Sequence, residues 1–205
     1  MPVPARERFA QLVSNVSEDF DLAEAALLIA QDAQPDVDVM AYLHRFETLA
    51  ATVRTRLPEE PDTTTIIDQL NKLLFQEEKL SGNTTDYYDP RNSFLNEVLE
   101  RKTGIPITLS VIYLEVGRRL GLPLVGVGFP GHFLVKCQSP EGEIVLDPFH
   151  GGMRLSPEHL AQKLREMYGD GNAFLSQIPQ LLTPASKREI LIRMLRNLKG
   201  VYLQQ

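Results

Sequence analysis

The stretch KTGIPITLSVIYLEVGRRLGLP, residues 102–123, is the hinge on which the fold is read. A Gly-x-x turn at Gly104 opens an apolar helix over residues 106–120, with Pro106 in its first turn, where proline is permitted. Arg118-Arg119-Leu120-Gly121 ends the helix in basic residues followed by a glycine. The chain before this stretch reads as helix, and the chain after it turns β-rich.

Working back, Asp21 is placed to cap LAEAALLIAQDA, in which Leu22, Ala25, Ala26 and Ile29 recur at helical spacing. VDVMAYLHRFETLAATVRTRL continues through Met40, Leu43, Phe46, Leu49, Ala50 and Val53, and Pro58 stops it. Asp62 is placed to cap a helix running to residue 80, with Ile66, Leu70, Leu73 and Leu74 on one face. SGNTTDYYDP, residues 81–90, reads as a long exposed connection, and Asn92 or Ser93 as the start of a short helix.

Working forward, PLVGVGF, HFLVKC and GEIVLDPF are short β-rich runs separated by Gly, Pro and Ser turns, SPEGE among them, which predicts an antiparallel meander. Ser156-Pro157-Glu158 predicts a further helix start. Thr183-Pro184 opens a last helix whose Ile190, Leu191, Met194, Leu195 and Leu198 form an apolar stripe, expected to lie exposed until a continuation of the chain covers it.

The 205 residues carry a formal net charge of −6, with 43% hydrophobic and 23% charged side chains. That balance suits a globular domain and gives no basic footprint for nucleic acid. The chain has no apolar run of membrane-spanning length and no signal-peptide core, so a cytoplasmic protein is expected. A single cysteine, Cys137, excludes an internal disulfide.

Three pieces have spacings that belong together: the 104–120 helix, His132 opening one strand, and Asp147 closing the next. Adjacent antiparallel strands can set an imidazole and a carboxylate side by side, and a carboxylate holds such a ring in one tautomer. The remaining element of that chemistry is a thiolate at a helix N-terminus, where the dipole lowers its pKa.

GIPITLSVIYLEVGRRLGLP, GFPGHFLVK and VLDPFHGG together resemble the transglutaminase-like superfamily, and more closely its SirB-type bacterial branch, whose members commonly carry a tetratricopeptide tail. The resemblance is most specific over residues 60–155, and the final helix is similar to the approach to that tail. It implies an α+β fold: a helical N-terminal part (residues 1–58), a papain-like core with a small antiparallel sheet and a central helix (59–180), and a C-terminal helix (181–205). Gly104, Arg118, Gly121, His132 and Asp147-Pro148 match family positions, and Pro106 stands at the position of the nucleophilic cysteine. Two of the three catalytic positions are kept and the nucleophile is not.

No other residue is well placed to replace it. Cys137 lies five residues beyond His132, on the opposite strand face and roughly 16 Å away. Thr108 is about 200° around the helix from Pro106, and Ser110 shares its face but sits about 6 Å deeper. A metal reading would join His150 to His132 and Asp147, donor types that suit zinc or iron; the helical spacing that usually accompanies such sites is lacking, and no metal or cofactor is expected. Tyr87, Tyr88, Arg91, Asn92 and Asn96 could rim a cleft as polar groups on a loop. Two functions compete: a non-catalytic module binding a protein or peptide in the old cleft, and a hydrolase or acyl transferase using His132 and Asp147 with a hydroxyl or water.

Overall fold

Asp21, Asp62 and Ser156 accept the N–H groups of Glu24, Thr65 and His159, three residues into the helices they precede. Each cap satisfies one of the four N–H donors that a helix start leaves unpaired. In the computed structural model, which describes residues 3–14, 20–139, 142–169 and 174–204, the helices are α1 (Ala5–Val13), α2 (Leu22–Ala33), α3 (Val39–Arg54), α4 (Thr63–Asn71), α5 (Leu95–Arg101), α6 (Pro106–Arg119), α7 (Pro157–Tyr168), α8 (Phe174–Leu181) and α9 (Lys187–Tyr202). The helix expected to run from Asp62 to residue 80 instead changes at Lys72–Glu77 into a π-helical turn.

The meander is present as β3 (Leu124–Val127), β4 (Leu134–Ser139) and β5 (Gly142–Asp147), all antiparallel. Residues 140 and 141 of the expected SPEGE turn lie outside the described residues. Two short strands that the period-2 pattern does not reveal extend the sheet to the order β6-β5-β4-β3-β7, with β6 at Met153–Leu155 and β7 at Pro184–Ala185. A separate parallel pair joins β1 (Ser81–Gly82) to β2 (Thr103–Gly104). The segment before α5 is therefore not the exposed connection expected: Ser81–Gly82 is paired, and Asn83 and Asp89 are buried.

Strand parity sorts the sheet into two faces. Val135, Cys137 and Leu146 face the main core with α2, α3, α6 and α9. Val127, Leu134 and Val145 face the other way, onto Leu160 and Leu164 of α7 and Ile178 of α8. The helix α6 runs through the first of these cores with every residue from Pro106 to Gly117 buried. On a helix enclosed on all sides any polar group left unpaired costs stability. Among those described on α6 the buried Tyr113 hydroxyl has no hydrogen-bond partner, while Glu115 and Thr108 are paired. Glu115 meets Arg119 at 2.6 Å and Arg118 at 3.1 Å. The Thr108 hydroxyl donates to the Asn92 carbonyl at 2.9 Å and accepts the Ile105 N–H at 3.1 Å, the backward half of a capping box.

Two surface expectations are overturned. Met40, expected on the buried face of α3, is exposed, while Phe46, Leu49, Ala50 and Val53 form that face. The apolar stripe of α9 is covered by this chain's own core: Ile190, Leu191, Met194 and Leu198 are buried, and of the five only Leu195 is exposed. Amphipathic spacing identifies a face that will be covered; the covering partner here is the α2–α6 layer.

Candidate functional site

Asp147 ends β5 with no exposed surface, and its carboxylate is the centre of the site. One oxygen lies 2.8 Å from His132 Nε2 and accepts the Phe149 N–H at 3.2 Å; the other lies 2.8 Å from His150 Nδ1. The Lys163 ammonium, on α7, is 3.5 Å from that second oxygen. Burial alone would raise the Asp147 pKa, but hydrogen bonds and positive charge from His132 and then His150 outweigh it and hold the pKa at about 2. An ionised carboxylate only accepts, so His132 carries its proton on Nε2 and His150 on Nδ1. In its neutral form His132 is thus left with Nδ1 as its basic atom.

The elements behind this geometry are short. His132 sits two residues before β4, on a turn closed by its own N–H donating to the Phe129 carbonyl at 3.0 Å. Its carbonyl accepts from Arg193 Nη2 on α9 at 2.7 Å, so the turn is held from outside as well as by Asp147. Pro148–His150 forms a single 3-10 turn, which places His150 beside the carboxylate three residues earlier. Phe149 completes an aromatic group, with ring centroids 5.8 Å from His132, 5.1 Å from His150 and 6.4 Å from Tyr87. The Phe149 ring packs so closely on β1 that a Cβ at Gly82 would lie 2.6 Å from it.

The other predicted residues separate into groups. Pro106 is the first residue of α6 and buried. Ser110 is buried, and its hydroxyl donates to the Phe133 carbonyl at 3.4 Å, next to His132 but committed to backbone. Cys137 faces the main core, and burial pushes its thiol pKa up, the opposite of activation. Asn92 and Asn96 do not rim a cleft. Asn92 is wholly buried, donating to the Asp86 and Tyr87 carbonyls at 2.7 and 3.2 Å, and Asn96 donates to Gln34 at 2.7 Å. Asn92 and Ser93, expected to start the short helix, lie instead in a 3-10 turn over Pro90–Ser93, and α5 begins at Leu95. Arg91 is paired through two nitrogens with the buried Asp89, at 3.0 and 2.7 Å. Tyr88 is exposed, edge-on to Tyr87 at 5.4 Å.

His132, Asp147 and His150 offer ligand atoms all within 4.8 Å of one another, a donor set of types that suit zinc or iron. In this arrangement each imidazole turns one nitrogen to the carboxylate, His132 Nε2 and His150 Nδ1, and Lys163 brings a further cation against it. The geometry fits an orienting carboxylate shared by two rings. Phe149, Lys163 and Arg193 are members of this site that the sequence pattern did not single out. A signal for Arg193 is present in α9: it shares the stripe of Ile190 and Met194, where a guanidinium interrupts apolar residues.

Residues 40–196 match the transglutaminase-like superfamily. A UPF0162 protein of Xylella fastidiosa (strain 9a5c) is 44% identical over 185 residues, covering 90% of this chain and 66% of the relative. The chain thus spans just under two thirds of that relative's length. A UPF0162 protein of Vibrio cholerae is 31% identical over 192 residues, covering 92% of this chain and 70% of the relative. F-box only protein 21 of Homo sapiens is 41% identical over 99 residues, which are 44% of this chain and 16% of that protein. No solved structure matches.

Proposed function

The chain belongs to the transglutaminase-like superfamily, among the UPF0162 proteins, and from that premise we propose that it is a non-catalytic module that binds a protein or peptide beside His132. The observation that carries this reading is Pro106. It starts α6, and at the position that the family resemblance gives to the nucleophile it would supply neither a nucleophile nor a backbone N–H. The nearest hydroxyl on that face of the helix, Ser110, is turned to the Phe133 carbonyl. The segment's small share of F-box only protein 21 supports a module carried within longer chains. We also propose the SirB-type branch with its tetratricopeptide tail, on the motifs GFPGHFLVK and VLDPFHGG.

A second reading has its own support. Asp147 orients the His132 ring at 2.8 Å, as a general base requires, so a hydrolase or acyl transferase using water or a hydroxyl would find half of its machinery ready. One experiment separates the two. Pooled peptides containing glutamine are incubated with the protein, and ammonia release, amine incorporation and cleavage products are followed. The expected result is no product beyond that of the His132→Ala variant. Turnover by the natural chain that disappears in His132→Ala would establish the enzyme and sink the module.

A further inference from the structure

Between the 128–133 turn and α9 lies a groove of about 850 Å³, lined among others by Gly128, Phe133, Pro184, Ile192, Arg193 and Arg196. It adjoins the smaller cleft, about 300 Å³, that His132 shares with Lys163. Arg193 is the unusual residue here. Its guanidinium is half-buried, 5.4 Å above the Phe133 ring, with Nη2 donating to the His132 carbonyl. Among the described residues it has no carboxylate partner. Burial pulls its pKa down, and the group that works against this is the Tyr87 phenol, not an acid. Glu189, the acidic side chain on the groove wall, accepts the Ser186 N–H at 2.7 Å and is tied to its own helix start rather than to Arg193.

A guanidinium taken out of water without a counter-charge costs stability, and a ligand carboxylate would return what the fold has given up. Nη1 is the atom left for it. A Cβ at Gly128 would lie 3.3 Å from Nη1, so the missing side chain at that position is what keeps the atom open. Arg196 follows one turn later on α9, exposed and on the same groove. Around the two cations the groove offers apolar wall from Pro184, Ala185 and Ile192. On a chain of net charge −6, two arginines against the single Glu189 leave the groove lining net positive, a local reversal of sign that favours an acidic partner over a neutral or basic one.

We propose that this groove binds an acidic peptide segment, with a glutamate or aspartate carboxylate held by Arg193 and Arg196 and apolar neighbours on the Pro184–Ile192 wall. The proposal rests on the module reading and names the chemistry of its partner. The fork of Arg196 and the Nη1 donor of Arg193, one helical turn apart, suit carboxylates spaced along an extended chain.

The test uses two fluorescein-labelled pools of short peptides, identical except that one carries glutamate and the other glutamine at alternate positions, measured by anisotropy. The glutamate pool should bind at least about tenfold more tightly. Arg193→Gln, which keeps a donor for the His132 carbonyl and removes the charge, should erase that preference, and Arg193→Lys should restore part of it. Arg196→Gln lies on the exposed side of the helix and should weaken the glutamate pool about threefold with the melting temperature unchanged, which keeps the test valid should Arg193→Gln fail to fold. Equal binding of both pools would overturn the carboxylate assignment and leave the module reading standing. Binding of neither pool would overturn both. Displacement by phosphate beyond that by chloride at equal ionic strength would mark a small-anion site and overturn the peptide assignment.

Discussion

Asp147→Ala is expected to lower the unfolding free energy by about 3–5 kcal/mol, the range for breaking a buried, charge-assisted network by removing one partner. The carboxylate has no exposed surface and joins His132, His150, the Phe149 N–H and Lys163. Without it two imidazole donors and one amide lose their acceptor, and the 3-10 turn at Pro148–His150 loses its anchor. Asp147→Asn should be milder in volume but still costly, because its amide nitrogen would meet an imidazole N–H. Urea denaturation of both variants measures the loss. A cost below about 1 kcal/mol for Asp147→Ala would mean that the network is incidental.

The same residue sets an acid limit. Its pKa in the folded chain, about 2, lies below the ordinary unfolded value of about 3.9. A depressed carboxylate stabilises the fold fully above the unfolded value, and that contribution is lost as the pH falls through the folded one. The window is therefore about pH 4 down to about pH 2, and the size is ~2.5 kcal/mol. Stability measured across that range should decline more steeply for the natural chain than for Asp147→Asn. Parallel curves would show that other carboxylates carry the acid transition.

Pro106→Cys is expected to create a fast-reacting thiol. On the register proposed above this residue stands at the nucleophile position of the superfamily, and it begins a fourteen-residue helix. A helix N-terminus and a neighbouring imidazole both favour the thiolate, and the expected pKa falls below the free value of about 8.5. Burial opposes them, and Cys137 is the internal measure of that opposition: it is buried with neither aid, and its thiol pKa is raised. Iodoacetamide at pH 6 should therefore label residue 106 at least about tenfold faster than Cys137, and His132→Ala should abolish the difference. The substitution should cost less than about 1 kcal/mol, since proline in a first turn is permitted and not required. A new thiol that titrates near the free value, or that ignores His132, would mean that helix, imidazole and carboxylate do not form one site.

What the chain determines by itself is local and repetitive. Asp21, Asp62 and Ser156 stand three residues before the N–H groups they bond, so their caps need nothing from elsewhere. The β3–β4–β5 meander is set by short turns between neighbours, so the approach of His132 to Asp147 depends on two adjacent strands and is legible in the sequence. Whether an amphipathic face is covered, and by what, is not a local property. The α9 stripe is legible as apolar, but only the packed chain shows it covered by its own core. Strands of two residues, such as β1, β2 and β7, carry no period at all and exist only because a partner lies alongside. The same holds for the polar residues. Asn92 and Asn96 have loop-like sequence surroundings, yet both are buried, because backbone carbonyls and Gln34, 62 residues from Asn96, meet their amides. Arg193 is the clearest case. Its place on α9 can be counted along the helix, but its setting over Phe133, with no carboxylate partner among the described residues, depends on which side chains the fold brings near, and that is decided by tertiary packing.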